Sequence, residues 1–134
     1  MITVIITDKE KSMRNTVQRE EILKFLRSQR AHFSATQVYD AVRENIPNIS
    51  LGTVYRNLGK LVENKDIITV ETEDKCVYYD GYTKEHSHFV CRGCGEIYDF
   101  EPINTCPEEI VKNGFKVEMT RTVFYGVCQK CMKI

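Results

Sequence analysis

Two cysteine pairs carry the strongest chemical signal in this sequence. Cys91-Arg92-Gly93-Cys94 and Cys128-Gln129-Lys130-Cys131 each set two thiols on one turn, and two such turns can complete a tetrahedron of thiolates around Zn²⁺. Gly93 and Gly95 let the backbone come close to an ion. Residues 95–127, 33 in all, separate the pairs by more than ordinary zinc-ribbon spacing, so the elements between them must return the chain. Thioredoxin-like redox chemistry is the competing use of a CxxC pair. It needs one pair opening a helix after a strand in a βαβ pattern, a context this sequence lacks. Disulfides and idle thiols are the remaining readings. Cys76 reads as ordinary strand packing. Cys106 stands at an expected helix start, where the dipole would favour a thiolate, and reads as incidental.

The sequence has three histidines, and two of them stand together in His86-Ser87-His88-Phe89-Val90-Cys91. Alternation puts His86 and His88 on one side of a strand, an arrangement that suits a shared metal or simply an exposed polar strand start. His32 precedes the second helix and by itself reads as a surface or cap residue.

These groups must be positioned by a small chain. At 134 residues the length suits one domain or two small ones. Hydrophobic residues at 42% and charged residues at 28% argue against wholesale disorder. Net charge is zero but uneven: residues 1–65 carry +4 and residues 66–134 carry −4. That hints at two units, the first facing an anionic partner. The N-terminus has no basic leader or long apolar run, and no stretch approaches the ~20 apolar residues of a membrane span. The expected setting is the cytoplasm, where thiols stay reduced and paired cysteines read as metal ligands.

Periodicity predicts a helix from about Thr16 to Ser28 with Ile22, Leu23, Phe25 and Leu26 on its apolar side. Ser34-Ala35-Thr36-Gln37 fits a capping box, and Ala35, Val38, Tyr39 and Val42 continue one helical face. Ser50 looks like the next N-cap, followed by Leu51, Val54, Leu58, Leu61 and Val62 on one face. Ile67–Val70 and Cys76–Tyr79 then read as a hairpin. Three helices and a hairpin suit a winged helix-turn-helix. After a linker at Asp80–Glu85, strands are expected at His88–Val90, Glu96–Phe100, Phe115–Met119 and Thr122–Val127. A helix should start at Thr105-Cys106-Pro107-Glu108, with Thr105 as N-cap, and stop at Gly114. This second unit is too small for a comfortable core and calls for a metal, a partner subunit or both.

Several separated motifs give the sequence a family resemblance. Arg14-Asn15-Thr16-Val17-Gln18-Arg19, Ser50-Leu51-Gly52-Thr53-Val54-Tyr55-Arg56-Asn57-Leu58, His86-Ser87-His88 running into Cys91 and Cys94, and Tyr125-Gly126-Val127-Cys128 with Cys131 resemble the ferric uptake regulator (Fur) family. Within it the chain is similar to the peroxide-sensing PerR branch. The resemblance covers nearly the whole chain from about Arg14.

It implies an α+β protein: a winged helix-turn-helix DNA-binding domain over residues 1–79, a hinge over 80–85, and a small α/β dimerisation domain over 86–134 with a four-cysteine zinc site. It assigns structural Zn²⁺ to Cys91, Cys94, Cys128 and Cys131. It assigns a regulatory Fe²⁺ or Mn²⁺ to His32, Asp80, His86, His88 and Asp99, a thiolate-free set that suits those ions better than a zinc sensor. Asp80 is informative, because iron sensors of the family tend to have Glu in that region and zinc sensors commonly Cys. Glu85 and Ser87 replace the ligands of an additional site found in many members. The implied function is a metal-dependent repressor, not an enzyme. Peroxide would oxidise His32 or His86 to 2-oxo-histidine, and a homodimer would then release its palindromic double-stranded operator. The alternative signal is iron or zinc availability. DNA contacts are expected from Thr53, Tyr55, Arg56 and Asn57 on the outward face of the third helix, and from Arg14 and Arg19.

Overall fold

The computed structural model describes residues 8–103 and 107–133, with side chains from Met13 onward. The chain divides into two compact units, Met1–Thr83 and Lys84–Ile134. Among the described residues no helix is long and apolar enough to cross a membrane.

The first unit is built from α1 (Asp8–Ser28), α2 (Ala35–Val42), α3 (Leu51–Glu63) and an antiparallel hairpin of β1 (Ile68–Glu71) and β2 (Val77–Asp80). Helix α1 begins eight residues before the expected Thr16. The sequence of its first turns carries no apolar stripe for periodicity to detect, though Lys and Glu are good helix formers. The expected capping box is present on α2: the Ser34 hydroxyl accepts the Gln37 N–H at 3.2 Å, and the Gln37 side chain accepts the Ser34 N–H at 2.9 Å. Ser50 caps α3 by accepting the Thr53 N–H at 3.1 Å.

The three helices bury Ile22 and Leu26 from α1, Val38 and Val42 from α2, and Val54, Leu58 and Leu61 from α3, closed beneath by Ile67. Two positions on α3 depart from the expected faces. Leu51 is 38% exposed, and Asn57, expected to point outward, is 5% exposed. The Asn57 amide donates to the Thr53 carbonyl at 3.1 Å, which satisfies one buried polar group inside the helix.

The hairpin strands start one residue later than expected, at Ile68 and Val77. That displaces Cys76 from the strand into the turn, where it is exposed rather than packed. Thr72 gathers this turn: its N–H donates to the Cys76 carbonyl at 2.9 Å and its hydroxyl accepts the Cys76 N–H at 3.2 Å. Lys75 takes a left-handed φ of 65°.

The second unit holds β3 (Ser87–Cys91), β4 (Ile97–Phe100), α4 (Glu108–Lys112), β5 (Val123–Gly126) and α5 (Gln129–Met132). Its sheet has the order β4-β3-β5. Strand β3 is antiparallel to β4 and parallel to β5. A parallel neighbour needs a long crossover, which is why so many residues separate the two cysteine pairs. The segment Phe115–Met119 is not a strand. Phe115 and Met119 are each 67% exposed, and no described strand stands beside the segment to complete its ladder. Helix α4 begins at Glu108 with Pro107 as N-cap and no side-chain cap bond. The expected Thr105 cap and Cys106 lie outside the described residues. Gly114, at φ +86°, ends α4 as expected, in the conformation glycine adopts most cheaply.

Candidate metal centres and nucleic-acid interface

The parallel pairing of β3 and β5 assembles the cysteine cluster. The register sets Cys91 opposite Gly126, and the Arg92 N–H donates to the Gly126 carbonyl at 2.7 Å. Both CxxC turns therefore leave the sheet at the same end. Their four sulfurs lie within 4.8 Å of one another. The Cys91–Cys131 and Cys94–Cys128 separations are 3.7 and 3.8 Å. Thiolates about 2.3 Å from one tetrahedral Zn²⁺ stand roughly 3.8 Å apart, so the cluster has the dimensions of a zinc site.

Backbone amides stabilise the thiolate form. The Cys91 sulfur accepts N–H groups from Cys128 at 3.3 Å, Cys94 at 3.5 Å and Gly93 at 3.3 Å. These donors lower its pKa to about 6. Cys91 and Cys128 are buried. Gly93 has no room for a side chain, because a Cβ there would stand 2.9 Å from the Cys131 sulfur. Gly93→Ala is expected to push Cys131 off its corner and cut zinc retention at least tenfold against a chelator, with the helical signal of the first unit unchanged. Competition with a colorimetric zinc chelator measures this directly.

The remaining candidate ligands form one group in each unit. In the first, Phe33 and Tyr79 exchange backbone hydrogen bonds of 3.0 and 2.7 Å, an antiparallel bridge. In that register His32 stands opposite Asp80, and opposed side chains meet on one face. The His32 Nε2 lies 3.2 Å from the Asp80 Oδ2, with Asp80 1% exposed. Asp80, expected in the linker, is the last residue of β2.

In the second unit β3 and β4 set His88 opposite Asp99, with His86 two residues away on the same side. The Asp99 Oδ1 lies 3.4 Å from the His88 Nε2 and 3.5 Å from the His86 Nε2. The His86 Nδ1 lies 2.6 Å from the Lys84 carbonyl oxygen. A carbonyl only accepts, so Nδ1 carries a proton and Nε2 is the ring nitrogen that faces the carboxylate. That nitrogen either donates to Asp99 when protonated or, with the proton off, presents a lone pair to an ion shared with the carboxylate. Ligands about 2.1 Å from one ion stand roughly 3.0–3.5 Å apart, close to these separations. The donors are nitrogen and oxygen alone, which suits Fe²⁺ or Mn²⁺.

On α3, Tyr55 and Arg56 are exposed, and the Arg56 guanidinium donates to the Thr53 Oγ1 at 3.0 Å. Asn57 does not share that surface. On α1, Arg14 is exposed and Arg19 is half-buried.

A sequence model of the ferric uptake regulator family matches residues 10–125. The chain belongs to the ferric uptake regulator family. Among its relatives, the peroxide operon regulator of Bacillus subtilis is 38% identical over 130 residues, spanning 95% of this chain and 90% of the relative. The peroxide-responsive repressor PerR of Staphylococcus aureus is 32% identical over 126 residues, 92% of this chain and 85% of the relative. Both are regulators rather than enzymes. The crystal structure of the Campylobacter jejuni peroxide stress regulator is similar, with a TM-score of 0.76, 29% identity, and 92% and 95% of the two chains covered. The Helicobacter pylori Fur structure, described as having three functional metal-binding sites, gives a TM-score of 0.74 at 28% identity, covering 94% and 87%. The winged-helix and four-cysteine architecture is thus that of the Fur family.

Proposed function

We propose that this Fur-family chain is a metal-dependent DNA-binding repressor that senses hydrogen peroxide through its histidine ligands. The observation that carries this reading is the thiolate-free donor set, with the Nε2 atoms of His86 and His88 3.5 and 3.4 Å from one Asp99 carboxylate oxygen. Two relatives that answer to peroxide support it. In this reading Cys91, Cys94, Cys128 and Cys131 hold structural Zn²⁺, and His32, Asp80, His86, His88 and Asp99 together hold one Fe²⁺ or Mn²⁺.

Bound Fe²⁺ would catalyse cleavage of the peroxide O–O bond. The two electrons that reduce the peroxide come from the imidazole, so one oxygen ends on a ring carbon of His32 or His86 and the other leaves as water. The chain contributes the rest. The Lys84 carbonyl fixes the His86 ring, and Asp80 and Asp99 supply the two negative charges that neutralise the ion. A ring carrying the added oxygen is a poor ligand, so the ion is lost. Since the five ligands come from both units, an ion bound by all of them selects one arrangement of the units over others. A shift from 1:99 to 99:1 needs about 5.5 kcal/mol of preference, within reach of a five-ligand site.

The DNA surface in this reading is α3 with Thr53, Tyr55 and Arg56, supported by Arg14 and Arg19. A homodimer would present two recognition helices to a palindromic operator about one turn apart or a multiple of it. The second unit leaves Ile110, Val111, Phe115, Met119 and Phe124 between 40% and 67% exposed, an apolar surface that a second copy would cover.

The test uses DNA selected by the protein from a random pool. Peroxide is expected to release that DNA from the Fe²⁺-loaded protein and leave the Mn²⁺-loaded protein bound. Equal behaviour of the two forms contradicts the reading and returns the family's metal-availability signal.

A further inference from the structure

We propose that Arg30, Gly81 and Tyr82 form a clamp that fixes Asp80 as a one-oxygen ligand. This rests on the reading of His32 and Asp80 as ligands of the regulatory ion.

The two oxygens of Asp80 are divided. Oδ1 accepts the Tyr82 N–H at 2.8 Å, a short-range turn bond of the kind aspartate makes two residues along. Oδ2 faces the His32 Nε2 at 3.2 Å. A carboxylate with one oxygen already engaged offers the other to an ion, which limits the number of protein donors and keeps a position open. That division lasts only while residues 80–82 hold their path.

Two contacts hold it. Gly81 is buried, and a Cβ there would stand 2.7 Å from the backbone carbon and oxygen of Leu26, so the segment lies directly against the end of α1. The Arg30 guanidinium covers the Tyr82 ring, 3.9 Å from its centroid, a cation–π contact. These contacts continue the register that pairs Phe33 with Tyr79 and His32 with Asp80. Arg30 and Tyr82 each lie two residues beyond that ligand pair along their segments, on the side away from the bridge. The ligand pair is bracketed by a backbone bridge on one side and a cation–π contact on the other.

The clamp predicts an effect opposite in sign to simple electrostatics. Deleting a positive charge near a cation site should tighten cation binding. Loss of a residue that orients a ligand should weaken it, by about tenfold. The experiment titrates the full-length, zinc-loaded protein with Mn²⁺ and records apo melting temperature alongside. Arg30→Ala and Tyr82→Ala are each expected to weaken Mn²⁺ binding about tenfold, with the apo melting temperature and zinc content unchanged. The double variant should be no weaker than either single one, because both remove the same contact. Tyr82→Phe keeps the ring and should bind as the parent does. Arg43→Ala deletes an equal charge stacked on Tyr39, 5.2 Å from the ring centroid, and should also leave binding unchanged.

Unchanged or tighter Mn²⁺ binding in Arg30→Ala and Tyr82→Ala would overturn the clamp, as would an equal loss in Arg43→Ala. Asp80→Asn separates this from the underlying reading. Parent-like Mn²⁺ binding in Asp80→Asn removes Asp80 as a ligand. Lost binding there with intact binding in the two clamp variants removes the clamp alone.

Discussion

Cys91→Ser is expected to abolish zinc binding and unfold the second unit while the first stays folded. Few described residues of the second unit are buried: Val90, Cys91 and Cys128, with the polar Ser87 and His88. A core of that size does not support a unit of about 50 residues. A structural zinc supplies an apparent 10–16 kcal/mol, as much as a whole domain's net stability of about 5–15 kcal/mol. Cys91 is the corner on which three backbone N–H groups converge, and a serine hydroxyl at that corner is a poor zinc ligand. Zinc content should fall from about one per chain to near zero. Hydrogen exchange should become fast throughout β3, β4 and β5 and stay slow in α1, α2 and α3. Cys76→Ser is the control, since Cys76 is exposed in the hairpin turn and belongs to no metal cluster among the described residues. Full zinc content in Cys91→Ser would contradict the assignment.

Arg56→Ala is expected to weaken specific DNA binding at least about 30-fold, with metal content and stability intact. Arg56 is exposed on α3, so its loss should change stability by less than about 0.5 kcal/mol. Its hydrogen bond to Thr53 holds the guanidinium along the helix toward the N-terminal turn, the part of a recognition helix that meets base edges. A bidentate arginine–guanine contact is worth about 1–3 kcal/mol. A homodimer loses it twice, about 2–6 kcal/mol, so affinity should drop by roughly 30-fold to about 25,000-fold. Salt dependence tells what was contacted. A lost base contact leaves the slope of log affinity against log salt unchanged, and a lost phosphate contact lowers it by about 1 per arginine. Parent-like affinity at matched salt would remove Arg56 from the interface.

The parts of this molecule that could be read in the sequence are those set by local chemistry. Ser34 with Gln37, and Ser50 with Thr53, announce their helices because a cap needs only residues three apart. The apolar stripe of α3 gives its buried face. Asn57 escapes that logic. It lies beside Leu58 on the buried side and satisfies its amide on the Thr53 carbonyl one turn earlier, so a polar residue sits where polarity predicts exposure. Cys76 escapes because the Thr72-centred turn, not the β-prone run, sets where the strand begins, which leaves Cys76 outside it and exposed. The front of α1 escapes because Asp8–Met13 has no apolar pattern for periodicity to detect.

Among the candidate ligands, the CxxC pairs were visible as spacing, but the parallel pairing that unites them was not. Strand β5 pairs with β3 across more than thirty residues, and nothing local records it. His32 and Asp80 each look ordinary in sequence. Only the Phe33–Tyr79 bridge shows why they face each other. Asp99 gains its meaning from the register that sets it opposite His88.

The proposed function requires a histidine ligand to be the target of peroxide. The most direct test is peptide mass spectrometry of the anaerobic, Fe²⁺-loaded protein after brief exposure to hydrogen peroxide, with the Mn²⁺-loaded protein alongside. One added oxygen is expected on the peptide carrying His32 or His86, in the iron form alone. Unmodified histidines in protein that has kept its iron would contradict it.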